Sequence, residues 1–248
     1  MSDGGHKLVT GWHSDRLGCG IKVVRWGHFG APVLLFPTAG GDAEECERFD
    51  LIAAISPLID AGRIKVYACD SVAGRTWLRE DVSGRERAAT QLRFDAFVAS
   101  ELVPAIRTDC RSDGIEIVGA GASFGAFNAL AALCRHPHTF RAAVCMSGTY
   151  DLDRWMNGEW CEDYYFCSPL QFVPNLPEGP DLGRLRERFV ILASGEGRWE
   201  APGEAWRVAQ VLGDKGIPNR VDLWGAHVDH DWATWRHMLP QYLDDLVA

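Results

Sequence analysis

The chain has 248 residues, of which 47% are hydrophobic and 24% charged, and its formal net charge is −9. This composition fits one globular domain over residues 1–248. The negative net charge argues against nucleic-acid or membrane partners, because nucleic acids and anionic membrane surfaces bind basic protein surfaces. No apolar run approaches transmembrane length and the N-terminal segment lacks the apolar core of a signal peptide, so we expect a cytoplasmic protein. The eight cysteines show no metal-ligand spacing, and we expect neither a metal nor another cofactor.

Short apolar runs alternate with segments of helical periodicity along the chain. In the first half, the predicted elements are two strands between Trp12 and Trp26, a strand at Val33–Phe36, a helix over residues 43–61 interrupted by Pro57, a strand at Ile64–Cys69 and a long amphipathic helix over residues 84–107. The strand at Val33–Phe36 leads into a glycine-rich loop from Thr38 to Gly41.

The middle of the chain carries the segment GASFG, from Gly121 to Gly125, which is a G-x-S-x-G pattern. An apolar run at Ile117–Val118 leads in and an alanine-rich helical segment leads out. This context predicts a nucleophile elbow, the strand-to-helix turn that presents a serine, here Ser123, above the sheet of an α/β-hydrolase. A dinucleotide-binding loop fits less well, because its third glycine would fall at Phe124. A purely structural glycine turn is the remaining alternative.

The second half of the chain continues the alternation after one long exception. The predicted elements are a strand at Arg141–Met146, a strand at Phe189–Ala193 with a helix over residues 200–215, and a strand at Val221–Trp224 with a helix over residues 230–246. Residues 149–182 show no periodicity and are rich in aromatics and prolines, which predicts an irregular, lid-like binding insertion. The whole pattern predicts an α/β-hydrolase fold, with a mostly parallel sheet covered by helices on both faces.

A serine nucleophile needs a histidine to accept its proton and an acid to orient that histidine. Functional groups collect at the carboxyl ends of parallel strands, so the acid should follow the strand at Phe189 and the histidine the strand at Val221. The acid candidates are Glu196, Glu200 and Glu204, and the base candidates are His227, His230 and, less favourably, His237. The pattern alone does not choose among them, and a surface or capping role is equally compatible with any one histidine.

Three segments resemble one family of α/β-hydrolases. They are FVASELVPAIR from Phe97, the elbow segment GAGASFGAFNALAALCRHPHTFRAAVCMSGTYDL, and HDWATWRHMLPQYL from His230. They are similar to the esterase family that includes esterase D, the enterobactin esterases, feruloyl esterase domains and the antigen 85 mycolyltransferases. The resemblance runs from about Val33 to Leu243.

The resemblance implies that His230 is the base. Some relatives carry an aspartate shortly after the acid strand, where this chain has Arg198. Others, including the mycolyltransferases, carry a glutamate a few residues later, which falls at Glu200. The resemblance therefore favours Glu200 as the acid, with Glu196 second. The elbow departs from the commoner G-H-S-x-G by having Ala122.

The predicted oxyanion hole consists of the backbone N–H of Phe124 and that of Ala39 or Gly40. Trp155 and Tyr165 are predicted to line the approach to the serine, although the aromatics of the insertion could instead serve packing. If so, the loop at residues 76–78 is the next candidate for substrate contact.

Together these features predict a serine carboxylesterase that hydrolyses a small or medium ester through an acyl-enzyme. The partner is then a small-molecule ester, and a homo-oligomer is compatible with the sequence. Acyl transfer to another alcohol and a non-catalytic scaffold used for binding are the two alternatives.

Overall fold

The apolar runs of the sequence form the strands of one central sheet. A computed structural model describes residues 7–247 of the protein. The strands are β1 (Leu8–Ser14), β2 (Cys19–Trp26), β3 (Ala31–Phe36), β4 (Ile64–Cys69), β5 (Ile117–Ala122), β6 (Phe140–Met146), β7 (Phe189–Ser194) and β8 (Asn219–Leu223). Their order in the sheet is β1-β2-β4-β3-β5-β6-β7-β8. β2 is antiparallel to β1 and β4, whereas all pairs from β4 to β8 are parallel.

Helices cover both faces of this sheet, as predicted. They are α1 (Glu45–Arg48), α2 (Leu51–Asp60), α3 (Val72–Trp77), α4 (Gly84–Phe97), α5 (Val103–Cys110), α6 (Phe124–Arg135), α7 (Asp153–Met156), α8 (Glu162–Cys167), α9 (Pro169–Phe172), α10 (Pro180–Leu185), α11 (Pro202–Asp214) and α12 (Trp232–Leu246). One core lies between the sheet and α2 and α12, and the other lies under α4, α5, α6 and α11. The strands β3 to β7 are therefore covered on both faces, which explains their largely hydrophobic sequences, with Lys65 in β4 and Arg141 in β6 as charged exceptions.

The predicted helix over residues 43–61 is two helices, and the predicted site of its interruption was wrong. The chain breaks at Asp50, whose φ of 59° is left-handed, and not at Pro57, which lies inside α2. The apolar face of α2, with Leu51 and Ile55 fully buried, packs on the sheet and keeps the helix continuous through the proline.

The long helix over residues 84–107 contains a wide turn that the sequence pattern did not show. A π-helical segment at Val98–Leu102 joins α4 to α5, and the N–H of Val103 donates to the carbonyl oxygen of Val98. Pro104 follows immediately and cannot donate a hydrogen bond to the preceding turn, which favours this local widening.

The stretch over residues 149–182 is not irregular, so that part of the prediction was wrong. It folds into α7, α8, α9, a 3₁₀ turn at Val173–Asn175 and the start of α10. Helices of four to six residues are too short to show a 3.6-residue repeat, and prolines begin two of them, at Pro169 and Pro180. A role as a lid stays a prediction.

No helix within residues 7–247 is both long and apolar enough to cross a bilayer. The expected cytoplasmic location stays a prediction.

Candidate active site

Ser123 occupies the turn between β5 and α6. Its φ of 56° and ψ of −120° lie outside the regions that non-glycine residues ordinarily occupy. Such strain persists only where surrounding contacts enforce it, and it clusters at functional sites. The N–H of Ser123 donates to the carbonyl oxygen of Met146 over 2.9 Å, and the N–H of Thr149 donates to the carbonyl oxygen of Ser123 over 3.3 Å. These bonds tie the turn to the end of β6.

The two glycines of the elbow allow backbones to approach closely. A Cβ on Gly121 would lie 2.4 Å from the carbonyl oxygen of Gly125, and a Cβ on Gly125 would lie 2.4 Å from the carbonyl oxygen of Phe36. Any side chain at either position would therefore displace backbone. As a result, α6 begins directly beside the end of β3, where the glycine-rich loop starts.

The structure brings Glu200 and His230 together. Glu200 follows β7, and its side chain is only 1% exposed. Its Oε2 lies 3.8 Å from Nδ1 of His230, which follows β8 and is 22% exposed. This distance is longer than a hydrogen bond, as is common for catalytic pairs without a bound ligand. The ring of Trp235 on α12 meets the imidazole edge-on, with the centroids 5.2 Å apart.

Two serine hydroxyls fix the carboxylate of Glu200. Ser147 Oγ donates to Oε1 over 2.6 Å and accepts from Nε1 of Trp235 over 3.0 Å. Ser194 Oγ lies 3.2 Å from Oε2 and 2.8 Å from the carbonyl oxygen of Gly195. A hydroxyl has one proton, so Ser194 donates to one of these acceptors at a time. The hydroxyl proton of Ser147 goes to Glu200, because the other partner of this hydroxyl, the indole N–H of Trp235, can only donate.

The other acid and base candidates lie elsewhere. Glu196, His227 and His237 are exposed. The carboxylate of Glu204 accepts from the backbone N–H groups of Tyr150 and Asp151 and so anchors the start of the insertion.

The loops after β7 and β8 are joined by an ion pair. The guanidinium of Arg198 lies 2.7 Å from the carboxylate of Asp229 and holds the pKa of that carboxyl below its usual range. The N–H of His230 donates to the carbonyl oxygen of Arg198 over 3.0 Å. Arg198 therefore helps to hold the loop that carries His230 beside the loop that carries Glu200.

A second buried glutamate lies on the opposite side of the elbow. The carboxylate of Glu45 on α1 accepts from the N–H of Thr38 over 2.8 Å and from its hydroxyl over 2.7 Å. Burial raises the pKa of Glu45. These bonds hold the first residue of the glycine-rich loop that contains Ala39 and Gly40.

Several backbone N–H groups near the elbow could stabilise an oxyanion. The first N–H groups of a helix have no intrahelical acceptor, and Phe124 is the first residue of α6. The predicted partners, Ala39 and Gly40, lie in the loop after β3, and the end of that strand contacts Gly125. Which of the two completes the hole stays a prediction.

A row of aromatic rings leads from the elbow to the insertion. The ring of Trp77 lies 6.3 Å from that of Phe124 and 6.5 Å from that of Trp155. Beside this row, Leu78 is 53% exposed, and its Cδ1 lies 3.8 Å from the position of a Cβ on Gly40. Trp155 is thus connected through one ring to the residue that follows Ser123.

Tyr165 has different surroundings. Its ring packs edge-on against Phe166, whose carbonyl oxygen accepts from the guanidinium of Arg135 over 2.5 Å. Arg135 ends α6, which begins at the elbow and has 12 residues, so that end lies about 18 Å along the helix from Ser123. Tyr165 also packs against the apolar core of which Phe124 is a member, and its place at the approach to Ser123 stays a prediction.

Sequence reasoning missed three polar residues of this site: Ser147, Trp235 and Glu45. Ser147 directly follows the carboxyl end of β6, so the rule that placed the acid and base could have indicated it. Trp235 contacts Ser147 across 88 residues, whereas Glu45 contacts Thr38 only seven residues before it, and no sequence pattern marks either one. Within residues 7–247, no group of three or more His, Cys, Asp or Glu side chains is arranged to hold a metal ion.

Comparison with known protein families identifies the family of this chain. The model of the Esterase family, described as "Putative esterase", matches residues 69–246, which is more than half of the chain. The chain belongs to this esterase family. It is accordingly a serine hydrolase, as predicted. No curated protein sequence matches the chain.

Solved structures of esterases share the fold of this family member. A ferulic acid esterase superposes with a TM-score of 0.72 at 17% identity, covering 97% of each chain. An S-formylglutathione hydrolase from Agrobacterium tumefaciens superposes with a TM-score of 0.72 at 12% identity, covering 100% of this chain and 96% of that one. The enterobactin esterase from Shigella flexneri superposes with a TM-score of 0.58 at 20% identity, covering 97% and 59%. These likenesses confirm the predicted α/β-hydrolase fold.

Proposed function

We propose that this esterase is a carboxylesterase that cleaves small or medium esters through an acyl-enzyme on Ser123. The observation that carries the proposal is the buried carboxylate of Glu200 facing Nδ1 of His230. Serine, acid and histidine occur in the chain order that α/β-hydrolases require, and the serine lies on a strained elbow.

Each residue has one task in the reaction. Glu200 accepts from Nδ1–H of His230, which leaves Nε2 to take the proton of Ser123 as its oxygen attacks the ester carbonyl. The resulting oxyanion accepts from the N–H of Phe124 and from that of Ala39 or Gly40, and each donor lowers the barrier by about 3 kcal/mol. The carbon–oxygen bond then breaks, and the imidazolium returns the proton to the leaving alcohol.

Water completes the cycle by the same steps in reverse. His230 takes a proton from water, the hydroxide attacks the acyl-enzyme, and Ser123 is released with its proton restored. An alcohol in place of water would give acyl transfer. Adding an alcohol acceptor to the ester assay distinguishes the two outcomes, because transfer produces a new ester.

The surroundings of the elbow favour an ester with an apolar group. Trp77, Trp155 and the half-exposed Leu78 form an apolar wall next to Phe124 and Gly40. The compared enzymes are named for a ferulic acid ester, S-formylglutathione and enterobactin, which differ widely in size. We place the choice of ester in this wall and assign residues 149–182 as the insertion that contributes Trp155 to it.

A panel of p-nitrophenyl esters of graded chain length tests the proposal. The native protein should hydrolyse at least the shorter esters, and Ser123→Ala should abolish hydrolysis without changing the circular dichroism spectrum. Ser112→Ala, at an exposed serine before the start of β5, is the matched control. Native protein that hydrolyses no ester, or a Ser123→Ala variant that keeps its activity, would contradict the proposal.

A further inference from the structure

A large cavity lies at the amino ends of the parallel strands, the edge of the sheet opposite to Ser123. Its volume is about 1030 Å³, and it is bounded by the start of β3, the start of β4, the end of α5 and the segment before β5. Ser123, Glu200 and His230 all follow carboxyl ends of strands, so the cavity belongs to a different site. Its volume is at the upper end of the range for small-molecule pockets.

The cavity is basic in a protein whose net charge is −9. Its cationic lining residues are Arg25, Arg63, Lys65, Arg111 and Arg141, and its acidic ones are Asp109 and Glu116. Five cations line the cavity against two carboxylates, although a third carboxylate, that of Asp244 outside the lining, pairs with Arg63. Such a local excess of positive charge attracts anions.

Neither carboxylate neutralises this excess. Asp109 is shared between Arg25, at 3.0 Å, and Lys65, at 2.6 Å. The side chain of Lys65 is only 5% exposed, so this charge is built into the fold. Glu116 is held by Arg184 and Arg188, which are not lining residues.

Two of the guanidinium groups have unused capacity to donate. Nε of Arg25 is buried and has no hydrogen-bond partner. Arg141 donates to the backbone carbonyl oxygen of Leu246 over 3.0 Å and has no carboxylate partner within residues 7–247. Burial lowers the pKa of Arg141, which a bound anion would reverse. The N–H donors that Arg141 does not use for Leu246 are available to an anion.

The remaining lining is apolar on one side. The ring of Phe29 is 72% exposed, and Ala31, Pro32 and Ile115 also line the cavity. We propose that this cavity binds a small organic phosphate, with the phosphate held by Arg25, Lys65 and Arg141 and the organic group against Phe29. Guanidinium groups match the paired oxygens of phosphate, whereas the apolar wall favours an ester over the free ion.

Calorimetric titration with phenyl phosphate at constant ionic strength tests this proposal. We expect saturable binding of one equivalent, and Arg141→Gln should weaken it at least about tenfold. Arg93→Gln is the matched control, because it removes the same charge from the exposed face of α4, where Arg93 pairs with Glu86. Ser123→Ala should bind phenyl phosphate as the native protein does, which separates this site from the elbow.

Two further ligands define the chemistry of the site. Inorganic phosphate should bind more weakly than phenyl phosphate if Phe29 contacts the organic group, and citrate should bind more weakly than either. Arg25→Gln, at another of the three residues assigned to the phosphate, should also weaken binding and gives a second variant if Arg141→Gln unfolds. The proposal is overturned by absence of saturable binding, by equal affinities of the Arg141→Gln and Arg93→Gln proteins, or by citrate binding as tightly as phenyl phosphate.

Discussion

Two buried glutamates flank the elbow, and their surroundings differ. Glu200 accepts from Ser147 and faces the imidazole of His230. Among residues 7–247, Glu45 accepts from the backbone N–H and the hydroxyl of Thr38. A buried carboxylate can therefore serve proton transfer on one side of a nucleophile and position a backbone loop on the other. The side chain that faces each carboxylate determines which task it has.

This difference predicts the size of each kinetic effect. Groups on the Glu200 side take part in moving the proton of Ser123, so their loss should reduce turnover by orders of magnitude. Groups on the Glu45 side act on the barrier only through the position of an N–H donor. Their loss should reduce turnover by smaller factors.

The largest effect is expected for His230→Ala. Turnover of a p-nitrophenyl ester should fall by roughly four to six orders of magnitude, because the serine loses its only base. His227→Ala, at an exposed histidine three residues earlier, should leave turnover within about twofold of the native value. Equal losses in the two variants would show that the histidines had been assigned wrongly.

A smaller loss is expected for Glu200→Gln. The amide keeps the shape of the side chain but loses the charge that supports the imidazolium, so kcat should fall by roughly a hundredfold to ten-thousandfold. Glu196→Gln is the control, since Glu196 is exposed on the same loop. If both substitutions have equally mild effects on kcat, the acid lies elsewhere.

Glu45→Gln should act through the glycine-rich loop. Thr38 loses one of its two carboxylate acceptors, so we expect kcat to fall about fivefold with little change in KM. The neighbouring Glu44→Gln, which affects a partly exposed carboxylate paired with Lys7 and Lys22, is the matched control. Unchanged kcat in Glu45→Gln would remove Glu45 from the oxyanion side of the site.

The stability of the Glu45→Gln variant should depend on pH differently from that of the native protein. Burial raises the pKa of Glu45, so the native state holds this proton more tightly than the unfolded chain. The contribution of protonated Glu45 to the free energy of unfolding is fully present below the ordinary glutamate pKa. It is lost as pH rises through the raised pKa of Glu45 in the native state. The free energy of unfolding of Glu45→Gln, relative to the native protein, should therefore increase across that window. Urea unfolding at several pH values measures this, and parallel pH curves would contradict the prediction.

The smallest effect concerns selectivity among esters. Trp155→Ala should change kcat/KM ratios between short and long esters by about 1–3 kcal/mol, because a lost apolar contact is worth that much. Tyr165→Ala should change the ratios less, since its ring packs edge-on against Phe166, whereas that of Trp155 is linked through Trp77 to Phe124. Trp160→Ala, at a ring 63% exposed in the same insertion, is the control. A larger shift from Tyr165→Ala than from Trp155→Ala would place the pocket elsewhere.

The sheet and the elbow could be predicted because their signals are local. The strand predicted at Ile64–Cys69 has those bounds in the structure, since all of its residues are buried and Lys65 is its one charged member. Gly121 also has a local cause, because it contacts the backbone of Gly125 within the elbow, whereas Gly125 contacts the backbone of Phe36 at the end of β3.

The rest depends on contacts between distant segments. Ser147 and Glu200 are separated by 53 residues, and Trp235 lies 88 residues from Ser147, so the hydrogen bonds among them have no sequence signature. The break at Asp50 is set by how α1 and α2 pack, not by the proline that the pattern indicates. The helices of the insertion are too short to show a 3.6-residue repeat, so the sequence pattern does not reveal them.

The central claim is that Ser123 becomes acylated, and mass spectrometry of the labelled protein tests it most directly. After treatment with a fluorophosphonate, we expect one adduct on the peptide that contains Ser123. The adduct should be absent in Ser123→Ala and strongly slowed in His230→Ala. Labelling of Ser147 or Ser194 instead, or no labelling of native protein that hydrolyses esters, would contradict the account.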